Sequence, residues 1–165
     1  DFLYSQGVVN GVREGQYAPG SNIRRGDFSL MLYRAFQFDS DGTTAGFRDV
    51  PDSAYYAQAV NVLRSQGIVM GIGGNTFKPN DSISRQDAAL MVQRTLKAAG
   101  LKADDGTAED LAGYGDAAYV DAYARGAVTC LLQQGILPAN GSSISPKGNL
   151  TRAAMAVLLH RAMAK

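Results

Sequence analysis

Three arginines, Arg25, Arg85 and Arg152, recur at matching places along this chain, each at the head of an apolar-periodic run, and lysine never stands there. A guanidinium is a planar fork that pairs a carboxylate through two parallel N–H bonds, whereas an ammonium is a point charge. Each arginine sits where a helix should begin. A helix start offers free backbone N–H groups and partial positive charge. An Arg fork beside it makes a receptor for one carboxylate. The alternative is a bridge from each Arg to an acid elsewhere in the fold. Ser84 and Asp87 read as a capping box with a short acid, so Asp87 and its counterpart Asp27 are expected as caps.

Other chemistries find little support. The single histidine and single cysteine, His160 and Cys130, provide neither a metal cluster nor an internal disulfide. His160 falls between core positions of a helix and is expected at an exposed or interface place; Cys130 reads as a small buried apolar residue. No nucleophile elbow or phosphate loop is present. Asp39-Ser40-Asp41-Gly42 has the look of a calcium loop but lacks the later ligands. Sixteen basic against fifteen acidic residues leave a net charge of +1 on 165 residues, which gives no basic face for nucleic acid. No apolar run reaches the ~18 residues of a membrane span. With 45% apolar and 19% charged residues the composition is globular. The 19 glycines, about 12% against a usual ~7%, call for many tight turns.

The elements that must position these residues are written about three times. Gly7, Gly11, Tyr17, Pro19, Ile23, Arg25 and Arg34 match Gly67, Gly71, Phe77, Pro79, Ile83, Arg85 and Arg94; the third copy gives Gly135, Ile144, Pro146, Leu150, Arg152 and Arg161. Each copy reads as helix, turn-rich loop, helix. The second helix carries one apolar stripe: Phe28, Met31, Leu32, Ala35 and Phe36; then Ala88, Met91, Val92 and Leu96; then Met155, Leu158, Leu159, Ala162 and Met163. The first helix is predicted at about 54–66 and 121–134, closed by Gly67 and Gly135. In copy one only residues 1–6 remain of it, so the chain reads as a fragment or processed product. The joints at 39–44 and about 100–113 are polar and read as flexible. One helix pair buries too little to fold alone, so we expect one domain over 1–165. Repeat one spans 1–40 with its first helix truncated, repeat two 41–104 and repeat three 105–165. The fold class is all-α, a pseudo-threefold arrangement sharing one helical core.

The ordered set Phe47, Asp49, Val50, Tyr55, Ala59, Val60, Gly67, Ile68, Gly71, Phe77, Pro79, Ile83, Ser84, Arg85 and Asp87 resembles the S-layer homology family. The resemblance covers essentially the whole chain. It implies a three-lobed helical prism and a non-catalytic module that moors proteins to the bacterial cell surface. The implied partner is a secondary cell-wall polysaccharide carrying pyruvate ketals, or modified peptidoglycan, held in grooves between lobes. The module would be secreted, would belong to a larger surface protein, and would need no cofactor and no metal.

By the same resemblance the grooves are shaped by Arg25, Arg85 and Arg152, by Asp49 and Asp116, by Tyr55 and Tyr123 in the family's tryptophan place, and by the loop glycines Gly71 and Gly11. A pyruvate ketal puts one carboxylate on a neutral sugar, which suits the Arg fork. Glycine lets backbone approach the sugar, and tyrosine offers the ring an apolar face. Asp49 and Asp116 either cap the first helix of their copies or face the groove. Copy two keeps Phe47, Asp49, Tyr55, Gly71, Arg85 and Asp87 and is expected to carry most of the binding. Departures include the absence of tryptophan, Ala154 in place of the acid, and Pro138-Ala139 near the third loop glycine. They favour, as the alternative, a structural lattice or partner-contact module that has lost sugar binding. Glycoside hydrolysis by Asp49 and Asp116 is disfavoured, because repeat-related acids stand far apart in a threefold fold.

Overall fold

The computed structural model describes residues 2–8, 18–39 and 45–165. Helix α1 spans Phe2–Ser5, α2 Arg25–Phe36, α3 Ala57–Ser65, α4 Arg85–Ala98, α5 Arg125–Gln133 and α6 Arg152–Met163. The apolar stripes of α2, α4 and α6 meet at the centre, where these helices pack on one another. Phe28, Leu32, Ala88, Val92, Met155, Leu158 and Leu159 are all buried there. The first helices lie outside this triangle, and each packs on the second helix of the preceding copy: α3 on α2, α5 on α4, and α1 back on α6. The packed helix pair therefore straddles two sequence repeats, and the α1–α6 contact closes the ring.

The first helices end alike. Gly7, Gly67 and Gly135 take φ values of 70°, 70° and 68°. Ile68 N–H donates to the Leu63 carbonyl at 2.8 Å and Gly67 N–H to Arg64 at 3.0 Å; Ile136 and Gly135 repeat the pattern on Leu131 and Leu132 at 2.8 and 3.1 Å. This double closure satisfies the last carbonyls and needs a left-handed residue, which glycine supplies without strain. The starts fall a few residues later than the sequence suggests, because residues 51–56 and Ala122–Ala124 wind as tight turns before the α-helix begins.

The three second helices are joined at their heads by a hydrogen-bonded ring. Ile23 N–H donates to the Leu150 carbonyl at 2.9 Å, Leu150 N–H to Ile83 at 2.9 Å, and Ile83 N–H to Ile23 at 3.1 Å. All three side chains point into the core, at most 1% exposed. The next residues complete the interlock. Arg25 and Gly26 N–H donate to Asp81 and Pro79 carbonyls of copy two, Arg85 and Gln86 to Gly148 and Pro146 of copy three, and Arg152 and Ala153 to Ser21 and Pro19 of copy one, at 2.8–3.0 Å. Ser84 and Thr151 side chains accept from Asp87 N–H and Ala154 N–H. The expectation of free N–H groups at these helix starts is thus corrected for the first two of each helix, which the loop of a neighbouring copy fills.

The joint at 100–113 is not the loose linker that its polarity suggests. Thr107 and Asp110 form a capping box over a short 3-10 turn, Ala108–Leu111, and Leu111 and Ala103 are buried. The buried Gln93 amide donates to the Ala103 carbonyl at 3.0 Å and to Asp105 at 2.6 Å. Polar residues fasten this segment through their hydrogen bonds rather than leaving it to solvent. Most of the other joint, 40–44, lies outside the described residues, as do Asp41 and Gly42 of the calcium-like stretch. Cys130 is buried, and burial pushes its thiol up. His160 is exposed, edge-on to Phe2 at 5.1 Å.

Candidate functional site

The loop after α3 and the face of α4 enclose a groove of about 360 Å³. Its walls come from all three copies. Copy one sends Arg25, copy two Gly71, Asp87 and Arg94, and copy three Tyr123; Met70 and Ile72 form an apolar rim. The ring closure explains this mixing, since each helix head is seated under the loop of the next copy.

Arg25 is 11% exposed in its side chain. Its Nε donates to the Phe77 carbonyl at 2.9 Å, its Nη1 meets Asp87 Oδ2 at 3.2 Å, and the guanidinium lies 4.7 Å over the Phe77 ring. Asp87 Oδ1 accepts from the Tyr123 hydroxyl at 2.6 Å. Burial and this carboxylate push the Tyr123 phenol up to about 12, so it stays a neutral donor. Tyr123 as a whole remains 58% exposed. Arg94 Nη1 reaches the Ile68 carbonyl at 3.4 Å; burial lowers its pKa, yet a guanidinium remains a cation at neutral pH. Two guanidiniums against one carboxylate leave the groove with a surplus positive charge. Gly71 floors it with φ of 78°, and a Cβ there would stand 2.6 Å from the Thr76 carbonyl and 2.7 Å from Phe47. No side chain larger than hydrogen fits.

The remaining residues fall elsewhere. Tyr55 is exposed and donates its hydroxyl to Asp27 of copy one; burial and Asp27 push the phenol up to about 12. Arg85 lines a separate cleft of about 350 Å³ with Pro138, Asn140 and Ser145. Its Nε donates to Ile144 at 2.9 Å and its Nη2 to Pro138 at 2.6 Å. Burial lowers its pKa, with Asp116 acting in the other direction. Ala154 stands at the place of Asp87 in this third junction, so the outer guanidinium nitrogen turns to a carbonyl instead of an acid. Arg152 is buried, 8% exposed. Gly11 and Tyr17 lie outside the described residues.

Three readings of the sequence need correction. Copy two does not assemble its own site: Gly71 and Asp87 meet Arg25 and Tyr123, whereas Arg85 and Tyr55 face other junctions. Asp87 and Asp27 do not act as caps; their carboxylates hold the tyrosine hydroxyls of the following copy. Asp49 and Asp116 neither cap the first helices nor line these clefts. Asp49 accepts from Phe77 N–H at 2.9 Å and Lys78 N–H at 2.8 Å, and Asp116 from Ile144 N–H and Ser145 N–H at 2.9 and 2.7 Å. Each ties down a residue of positive φ, Lys78 or Ser145. Sequence reasoning missed Arg94 as a groove residue, although its recurrence as Arg34 and Arg161 was visible.

The S-layer homology domain matches residues 46–89 and 113–156. A surface-layer 125 kDa protein of Lysinibacillus sphaericus is 26% identical over 163 residues, 96% of this chain and 13% of that protein. An amylopullulanase of Thermoanaerobacterium thermosulfurigenes is 26% identical over 166 residues, 100% of this chain and 9% of the enzyme. An S-layer protein of Bacillus licheniformis is 33% identical over 93 residues, 55% of this chain and 10% of that protein. The chain thus spans a small part of these relatives. With two of its helix–loop–helix copies matched over more than half its length, and with both packed into one threefold helical core, the chain belongs to the S-layer homology family, whose domains serve as anchoring modules of the bacterial cell surface.

Proposed function

We propose that the module moors a larger surface protein by binding an anionic secondary cell-wall polysaccharide, its pyruvate ketal carboxylate held in the groove of Arg25, Arg94 and Tyr123. The carrying observation is the convergence of two guanidiniums on an open groove that holds one carboxylate. The two bonds of Arg25 to Phe77 and Asp87 use fewer than the five N–H donors of a guanidinium. A ligand carboxylate then gains charge-assisted bonds of roughly 1.5–3 kcal/mol each. The exposed ring of Tyr123 gives the sugar an apolar face, and Gly71 lets it lie against backbone. On this reading residues 1–40 belong to a third family repeat, Asp49 and Asp116 shape loops, and Arg85 and Arg152 serve their own junctions. The great length of the relatives beside this chain supports a role as one piece of a larger protein.

The reading is tested by titration calorimetry with wall polysaccharide before and after mild acid removal of pyruvate. Arg25→Ala is expected to weaken binding more than Arg85→Ala. Arg25→Lys should lose at least ~1 kcal/mol although the charge is kept. Moderate salt should cost much less, because a half-buried pair is poorly screened. Equal affinity of the Arg and Lys forms, with steep salt dependence, would indicate diffuse charge attraction. Unchanged binding after pyruvate removal would instead favour modified peptidoglycan. A structural contact role has its own support in the third junction, where Arg85 is held by Pro138 and no acid stands at 154; wall material that fails to bind at all would decide for it.

A further inference from the structure

Gln86 lies in the first turn of α4, at the place of Gly26 in α2 and Ala153 in α6. It is 3% exposed, a costly position for an amide unless its polar atoms are partnered. Here both ends are. Oε1 accepts from Asp121 N–H at 3.0 Å, and Nε2 donates to Asp121 Oδ2 at 2.7 Å and to the Tyr123 hydroxyl oxygen at 3.1 Å. The Asp121 N–H fixes which end is oxygen. Lys147 holds Asp121 from the solvent side at 3.2 Å. Tyr123 is in turn gripped twice, accepting from Gln86 and donating to Asp87.

The junction between copies one and two is built otherwise. Gly26 replaces the glutamine, and a Cβ on it would stand 3.0 Å from the Tyr56 ring. Tyr56 fills that space, edge-on to Tyr55 at 5.0 Å, whereas its counterpart in copy three is the small Ala124. One junction has an apolar plug, the other a polar latch. Gly26 has no amide to offer Tyr55, whose hydroxyl rests on Asp27.

We propose that Gln86 is a positioning residue that presets Tyr123 as a rigid wall of the groove and makes this junction the tighter of the two walled by tyrosine. The proposal rests on the sugar-binding reading of that groove. A side chain held at two points before binding loses little freedom when a ligand arrives, and preorganisation of this kind raises affinity without a new contact. With its hydroxyl committed to Gln86 and Asp87, Tyr123 meets a sugar with its ring face, so the site reads ring shape there rather than hydroxyl pattern.

The test is a double-mutant cycle on the full chain, with a methyl hexopyranoside 4,6-pyruvate ketal as probe. Gln86→Ala should weaken binding roughly two- to tenfold, the range for one side chain left to be immobilised on binding. In a Tyr123→Ala background the same change should cost nothing further. Equal losses in both backgrounds would overturn the proposal, since they mark a general structural effect. Gln86→Met, which keeps volume and removes the bonds, replaces the Ala form if melting shows that it fails to fold. A ligand-free readout separates this idea from the reading beneath it. The NMR order of the Tyr123 ring should exceed that of Tyr55 and fall to its level when Gln86 is replaced; no fall overturns the proposal whether or not the probe binds. Loss of Tyr123 order together with no probe binding by the wild type would count against the sugar-binding reading and leave Gln86 as the brace.

Discussion

Asp49 and Asp116 serve the loops from beneath, each collecting two backbone N–H groups from a turn of positive φ. Burial raises the Asp49 carboxyl, but the donors Phe77 and Lys78 outweigh it and leave the group below its ordinary value. For Asp116 the Ile144 N–H is the main cause of lowering, with Ser145 N–H and the Ser143 hydroxyl adding to it. A carboxyl lower in the folded state than its unfolded ~3.9 stabilises the fold above that pH. The contribution is lost as pH falls through the folded value. Stability should therefore decline below about pH 4. The Asp49→Asn, Asp116→Asn double variant should show a lower plateau near pH 7 and a shallower acid limb in calorimetric scans. An acid limb as steep as that of the wild type would assign the pH response to other carboxylates.

Among the elements, the segment between α4 and α5 behaves as part of the scaffold. Gly106 N–H donates to the Gly126 carbonyl at 3.2 Å, and the two backbones approach so closely that a Cβ on Gly106 would stand 2.2 Å from Thr129. Such overlap with a β-branched residue in α5 cannot be relieved by swinging a long side chain. Gly106→Ala should destabilise the protein by more than ~1 kcal/mol, because overpacking a fixed contact forces backbone shifts. Limited digestion with thermolysin should leave 103–111 uncut in the wild type and cleave it early in the variant. Early cleavage in both would show that the Gln93, Asp105 and Thr107 bonds do not hold the segment in solution.

At the scale of the molecule, the ring of Ile23, Ile83 and Leu150 and the pairing of each first helix with the preceding copy make every lobe depend on its neighbours. Removing residues 105–165 would take away α5 and α6, strip the α4 face and the α1 face, and delete Leu150 from the hydrogen-bonded ring. Unfolding of the whole chain should accordingly be one transition, and the truncated chain should fail to fold. A truncated monomer with a sharp melting transition would show that copies one and two suffice. The same closure governs the groove, since Arg25, Asp87 and Tyr123 come from three different copies and meet only when the ring is shut.

The helix–loop–helix repeats, most of each apolar stripe, the helix-ending glycines and the threefold plan followed from the sequence, because periodicity and left-handed glycine sites are local and repeat. Buried Cys130 and the recurring arginines followed for the same reason. Which arginine serves which groove did not. Offsets of 60 and 67 residues show that Arg25, Arg85 and Arg152 are equivalent, but say nothing of the copy under which each guanidinium is tucked. The caps failed at Asp27 and Asp87 because a short acid at the third helical position has two uses, its own helix start or a tyrosine hydroxyl from the next copy. The choice depends on what the ring closure brings within 3 Å. Tertiary structure alone also decided that the first two N–H groups of each second helix are taken by neighbouring carbonyls, and that Gln86 faces Asp121 and Tyr123 from 35 and 37 residues away. Local sequence fixes the torsions that make each element, whereas a side chain's partner is set by contacts across the closed threefold ring.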